Sequence, residues 1–369
     1  MTAEAWLAVL HRTRSAEARR DLLAEAGSAD ALGRFAAGQL ELPGLGAQAV
    51  AELSGAAREE IKGWRAWLDE PGHHLVSLGS PRYPRRLAQI PEPPLALWVV
   101  GDRLELLGAP QLAIVGSRNA SHGGRATAER FGRYLSERGL TITSGLAMGI
   151  DAAGHEGALR GPGSTVAVFG CGIDVIFPRN HAALAEHIAA AGLLVSEHGP
   201  GVPPAAHRFP QRNRIIAGLS LGTLVVEAGR RSGALITARR AGEYGRDTFA
   251  IPGSIHNPLA RGCHWLIRQG AKLVEEGADI LVELAPQLEH EDLIEPPRRE
   301  PGEPEEPSAI GRDPAYAKLL NHLGFEPATV AGLAARSGLT TAELSSMLLL
   351  LELEGLVEAL PGGRYCRLK

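Results

Sequence analysis

Cysteine is scarce in this chain. Its 369 residues hold only Cys171, Cys263 and Cys366, far apart and without CxxC spacing. That argues against a disulfide framework or a zinc site of paired thiolates, and it fits a reducing compartment. Long apolar runs are missing as well: none reaches the roughly 18–20 residues that a bilayer span requires. The opening residues, MTAEAWLAVLHRTRSAEARR, have no long apolar core ahead of their charges. The expectation is a cytoplasmic chain with no membrane association. The GxGxxG fingerprint is absent, and no acid about twenty residues beyond the first glycine turn stands ready for a ribose, which speaks against a dinucleotide oxidoreductase. No cofactor and no metal are expected.

The net charge of -4 conceals an asymmetry. Residues Glu283–Asp313 carry ten acids against three arginines, whereas Ala205–Arg246 carry eight arginines against two glutamates. A local cationic excess of this kind attracts phosphates even in an acidic protein.

Along the chain, residues 1–70 read as helical, with apolar residues at helical spacing in EAWLAVLHRT and AREEIKGWRAWLDE. Between them, Gly44-Leu45-Gly46 has the letters of a helix-hairpin-helix turn, which suit any helix-to-helix connection equally. Pro71–Pro94 is a proline-punctuated connector. From Leu112 short apolar segments (LAIVG, LTITSG, STVAVFG, LLVSE, GTLVVEAG, DTFAIPG, AKLV) alternate with helical ones. Such alternation predicts an α/β domain, a Rossmann-like doubly wound and mostly parallel sheet with helices on both faces. The domain spans 71–284 with its core at 110–284, and its ligand belongs beyond the carboxyl ends of the strands. Residues 285–314, with seven prolines and the acidic excess, read as an extended linker. Residues 315–369 read as three helices and a hairpin turning at Pro361-Gly362-Gly363, a winged helix.

Four glycine-marked strand ends carry the candidate chemistry. In AIVGSRNASHGG the turn Gly116-Ser117-Arg118 offers backbone amides and a guanidinium to an anion. In SGLAMGIDAAGHEGAL, Asp151 reads as a helix N-cap or a polar anchor, and His155 and Glu156 read as solvated helix residues. In VAVFGCGIDVIFPRNHAAL, Asp174 can anchor its loop, and Cys171 reads as a small buried residue because nothing supplies a base. The fourth stretch is RFPQRNRIIAGLS, continued through GTLVVEAGRRSGALITARRA. Read as an extended loop, it lets Arg212 and Arg214 both reach a ligand while Phe209 stacks on a base, the recipe for single-stranded nucleic acid. The other reading pairs Arg214 with Glu227 and buries Phe209. Ser232-Gly233 can cap the helix that carries Arg239.

Taken in order over about 160 residues, IVGSRNASHGG, SGLAMGIDAAGHEGAL, AVFGCGIDVIFPRNHAAL, SEHGPGVPPAAHRFPQRNRIIAGLS, VVEAGRRSGALITARRA and FAIPGSIHNPLARGCHWLIRQGA resemble the DNA-processing protein A (DprA/Smf) family. The resemblance implies a non-enzymatic protein that binds and protects incoming single-stranded DNA and loads RecA recombinase during natural transformation. It implies an extended Rossmann domain, a sterile-alpha-motif-like N-terminal domain, a C-terminal winged helix, and a homodimer formed through the Rossmann domain. Its DNA pocket maps onto Gly116, Ser117, Arg118, Phe209, Arg212, Asn213 and Arg214, with Arg239 nearby and either His207 or Arg208 where some relatives use lysine.

A second resemblance is to nucleotide phosphoribohydrolases of the lysine-decarboxylase-like family, through GTLVVEAG; the two glycines that precede this block in that family are missing. The winged helix is electrically neutral, with five basic and five acidic residues from Ala315 to Lys369. Its third helix has no Lys or Arg, so it lacks the donors a groove-reading helix needs and is expected to contact protein rather than DNA.

Overall fold

The computed structural model of the chain describes residues 3–12, 51, 54–288, 313–323, 327–360 and 362–367. The turn at Gly44–Gly46 and residues 289–312 of the expected linker lie outside these. The chain forms two compact units, Met1–Pro296 and Pro297–Lys369.

The first unit is built on a nine-stranded sheet. Seven strands run parallel: β3 (Gln111–Val115), β4 (Thr141–Ser144), β5 (Thr165–Gly172), β6 (Leu193–His198), β7 (Gly222–Val225), β8 (Asp247–Ala250) and β9 (Lys272–Leu273), in the order β6-β5-β4-β3-β7-β8-β9. Their helices are α3 (His122–Ser136), α4 (Ile150–Ala158), α5 (Ala182–Ala191), α6 (Arg208–Leu219), α7 (Ala234–Glu243), α8 (Arg261–Arg268) and α9 (Gly277–Leu288). β3 is buried on both faces, and its side chains alternate between two cores. Leu112 and Ile114 join Phe131 and Leu135 of α3, Ile150 of α4 and Ile280 of α9. Ala113 and Val115 join Ile188 of α5, Ile215 of α6, Leu235 of α7 and Leu266 of α8. Helices on both faces are what a continuously apolar strand requires, because neither side of it tolerates water.

The proline-punctuated connector is more regular than its composition suggests. It contains β1 (His73–Ser77), which pairs antiparallel with β2 (Ala96–Val100), and β2 pairs antiparallel with β6 at the sheet edge. Helices α1 (Ala3–Arg12) and α2 (Gly55–Leu68) pack on this edge. The Trp6 indole N–H donates to Ser77 Oγ at 2.8 Å, and that of Trp64 to the Pro200 carbonyl at 3.1 Å. Residues 285–288, expected in the linker, complete the last turn of α9 instead, where Leu288 is buried.

In the second unit, α10 (Pro314–Leu323), β10 (Ala328–Thr329), α11 (Val330–Ser337), α12 (Thr341–Leu353), β11 (Val357–Leu360) and β12 (Arg364–Arg367) form the three helices and the winged hairpin. Leu319, Leu333, Leu344, Leu348 and Leu351 make its core. A capping box starts α12: the Thr340 hydroxyl accepts from the Glu343 amide, and Glu343 answers the Thr340 amide.

Candidate functional site

From β3 the chain lays β4, β5 and β6 outward on one side, then returns through α6 to place β7 on the other side of β3. The loops leaving the carboxyl ends of β3 and β7 therefore diverge and open a crevice at the switch point. That crevice, about 570 Å³, is lined by Gly116, Ser117, Arg118 and Asn119 after β3, by Ala147 and Asp151 after β4, by Phe209, Arg212 and Asn213 of α6, and by Arg231 to Ala234 after β7.

Six of the ten expected residues thus meet: Gly116, Ser117, Arg118, Phe209, Arg212 and Asn213. His207, Arg208, Arg214 and Arg239 do not line the crevice. The reason is that RFPQRNR is not an extended loop but the first two turns of α6. On a helix, residues two apart point to different sides, and Arg212 and Arg214 diverge accordingly. Arg214 is buried and pairs with Glu197 at 2.6 Å, not with Glu227. Arg208 donates to the Pro203 carbonyl, and Arg239 is exposed on α7. Asn119 and Arg231 were missed by sequence reasoning. Arg231 belongs to the same arginine-rich stretch, but only the parallel pairing of β3 with β7 brings it to the crevice that Arg118 lines.

Arg212 is the pin of the crevice floor. It is 7% exposed, and its Nη1 donates to the Gly145 carbonyl at 2.9 Å and to the Val168 carbonyl. It ties the end of β4 to β5, and it is the cation electrostatically coupled to Asp151. Burial pushes the Arg212 pKa down to about 10, with Asp151 pulling it back up. Asp151 is the polar anchor rather than the helix cap: Gly149 holds the N-cap of α4, and Asp151 Oδ2 accepts from the Gly145 amide at 3.1 Å. Burial raises its carboxyl pKa, while Arg212 and the surrounding hydrogen bonds lower it.

His155 is not solvated but fully buried. Its Nε2 accepts from the Leu146 amide at 3.3 Å, and its Nδ1 lies 2.6 Å from the Thr165 hydroxyl, which itself donates to the Ile142 carbonyl. That chain of donors requires Nδ1–H and a bare Nε2, a neutral ring. Burial first, then Arg212 and His181, bring its pKa down to about 3. The unfolded chain binds this proton from about pH 6.5 downward and the folded chain does not, so stability is complete above that pH and falls as pH drops toward 3. At pH 5 the loss from this ring is about 2 kcal/mol. Urea melts at pH 7 and 5 should show it, and His155→Gln should flatten the difference.

Glu227 closes a second option. Its carboxylate accepts from the Ser121 amide at 2.9 Å and the Ser121 hydroxyl at 2.7 Å, and that hydroxyl accepts from the Gly124 amide at 2.9 Å. The start of α3, where a doubly wound fold cradles a nucleotide phosphate, is therefore filled by the protein's own carboxylate. The Ser117 amide is spent as well, donating to the Glu227 carbonyl at 2.7 Å. The first loop consequently offers the Ser117 hydroxyl and the exposed Arg118 guanidinium rather than the amide cradle its glycine suggested.

Phe209 is half-buried: it borders the crevice and also packs on the Phe177 ring, 5.3 Å between centroids, with the Arg118 guanidinium 5.8 Å from its own centroid. Cys171 is buried, its thiol pushed up to about 11 mainly by desolvation, and Asp174 anchors its loop by accepting from the Gly201 amide at 2.8 Å. Among the described residues no group of acids, histidines and cysteines is arranged to hold a metal, and no helix is long and apolar enough to cross a membrane.

Comparison with known proteins matches residues 74–285 to the DNA recombination-mediator protein A family and residues 303–363 to the DprA winged helix domain. The chain is 44% identical over 337 residues to Protein Smf of Escherichia coli (strain K12), covering 89% of this chain and 87% of that one. It is 50% identical over 201 residues to DNA processing protein DprA of Streptococcus pneumoniae, covering 54% and 71%. The solved structure of DNA processing protein A from Streptococcus pneumoniae superimposes with a TM-score of 0.64 at 38% identity, over 76% of this chain and 98% of that one. That of Helicobacter pylori DNA processing protein A, a protein with a unique single-stranded DNA binding mode, superimposes with a TM-score of 0.53 at 28% identity, over 58% and 97%.

Proposed function

Because this chain belongs to the DNA recombination-mediator protein A (DprA/Smf) family, we propose that it is a single-stranded-DNA-binding recombination mediator whose switch-point crevice holds the strand. The observation that carries the reading is the pairing of exposed arginines with an accessible aromatic in one crevice: Arg118 and Arg231 on the diverging loops, Phe209 at the start of α6. The arginines neutralise phosphates, Phe209 stacks on a base, and Asn213 and the Ser117 hydroxyl supply further polar contacts. Arg212 acts through the floor it holds. The strand so bound is protected and handed to RecA in natural transformation, by a cytoplasmic homodimer.

The domain plan that serves this function is a helical N-terminal part at 1–70, an extended Rossmann domain at 71–284, a linker and a winged helix. The reading is non-enzymatic. The nucleotide phosphoribohydrolase alternative would use a phosphate seat at a helix start. Here Glu227 occupies that seat itself. Release of adenine from AMP at enzymatic rates would restore the alternative.

The test is anisotropy with oligo-dT against duplex of equal length across a salt series. Single strand should bind more tightly, with affinity falling steeply as salt rises. Phe209→Ala should weaken binding by about 1–3 kcal/mol. Arg118→Ala and Arg231→Ala should each weaken it across all sequences and shallow the salt slope. Equal affinity for duplex, or no effect from all three variants, sinks the assignment. Strand-exchange assays with RecA and single-strand-binding protein test the mediator step.

For the second unit, α12 carries Glu343, Glu352 and no basic residue. Truncation after residue 288 should therefore change single-strand affinity by less than about tenfold, since phosphate contacts drive that affinity; a larger loss would place DNA contacts in the winged helix.

A further inference from the structure

Phe177 is a large aromatic ring left 45% exposed, on a loop that is firmly held. The Cys171 thiol contacts the Val175 carbonyl at 3.1 Å, Asp174 accepts from the Gly201 amide at 2.8 Å, and the Ile173 amide donates to the His198 carbonyl at 3.2 Å. On the far side, His181 Nδ1 meets the Leu146 carbonyl at 2.9 Å. The loop is tied to its neighbours on both sides of Phe177, so the ring's exposure is a consequence of how the loop is fixed. Its position is outside the crevice lining, yet it touches the one aromatic that does line it: the Phe177 and Phe209 centroids are 5.3 Å apart with planes at 36°. Arg118 stands 5.8 Å from the Phe209 centroid, and Arg179, two residues beyond Phe177, is exposed.

We propose that Phe177 forms a second base-stacking subsite, which takes the nucleotide next to the one on Phe209 as the strand leaves the crevice past the carboxyl end of β5. The proposal rests on the single-stranded-DNA reading of the crevice. Two tilted rings 5.3 Å apart do not match the ~3.4 Å rise of bases stacked in a duplex. They suit two successive bases of an unstacked strand, each on its own face, and aromatic stacking is indifferent to base identity. The subsite therefore adds affinity and strand preference without sequence preference. Arg179 is placed to meet the phosphate on its outer side.

The test uses the full chain and fluorescein-labelled oligo-dT of about 4 and about 12 nucleotides, within the range of single-strand site sizes. Phe177→Ala should lower affinity for the longer strand about 5- to 150-fold, the range expected for one lost stack, and affect the shorter strand less. Phe177→Tyr should keep wild-type affinity. Phe177→Leu, still apolar but without a ring face, should lose it as alanine does. The exposed position predicts unchanged thermal melting for all three. Wild-type affinity of Phe177→Ala and Phe177→Leu, in a protein where Phe209→Ala and Arg118→Ala do weaken binding, overturns the subsite alone and leaves the ring as a protein-contact residue. Wild-type affinity in all of these variants overturns the crevice reading and the subsite with it.

Discussion

Replacing Arg212 with alanine will lower the unfolding free energy by about 2–6 kcal/mol, because two buried carbonyls lose their donor at about 1–3 kcal/mol each. The side chain is 7% exposed and serves two carbonyls, Gly145 and Val168, on neighbouring strands. Without it both carbonyls lose a donor and the Asp151 carboxyl keeps its burial but not its cation. Arg212→Lys should recover part of the loss, because one ammonium restores charge but not the planar fork. Urea melts at pH 7 measure both. A variant that melts like the wild type but no longer binds oligo-dT would reassign Arg212 as a direct DNA contact, contrary to the floor-pin role.

The second large effect concerns Arg214. It pairs with Glu197 at 2.6 Å, and the two side chains are only 10% and 9% exposed. Arg214→Ala leaves a carboxylate buried without this partner and should cost about 3–5 kcal/mol of stability. Changing both residues to leucine should cost much less, since an apolar pair of similar volume often replaces a buried ion pair with little loss. At temperatures where the single variant remains folded, its oligo-dT affinity should equal that of the wild type. A drop in affinity without a drop in stability would falsify the structural role and return Arg214 to the DNA site.

Both arginines sit in the motif that looks most like a nucleic-acid grip, and the fold uses both internally. The chain's strand periods were legible: every apolar segment from LAIVG to AKLV became a strand, and three helices with a hairpin became the winged unit. What failed was the step from residue type to direction. Treated as an extended loop, RFPQRNR sends both arginines outward; as helix α6 it separates them. His155 looked like a solvated helix residue because a nine-residue helix with small neighbours shows little of which face is buried. It is packed at 0% exposure beside Thr165 of strand β5. β1 was hidden by the prolines around it, since its pairing partner β2 lies across a turn.

The sequence by itself determined the elements and placed the ligand at the carboxyl edge of the sheet. Alternating strand and helix patterns leave few right-handed, doubly wound arrangements, and ligands in such sheets sit at the carboxyl edge. It also marked Arg118 and Phe209, through a glycine turn at a strand end and an aromatic set among arginines. Only the tertiary structure decided which charges remain available there. Whether a guanidinium faces solvent depends on what other strands present to it: Arg212 meets two carbonyls and Arg214 a glutamate, whereas Arg118 and Arg231 stay exposed. Likewise, only packing could show that Glu227 fills the seat of a nucleotide phosphate, since its partner Ser121 is 106 residues away in sequence.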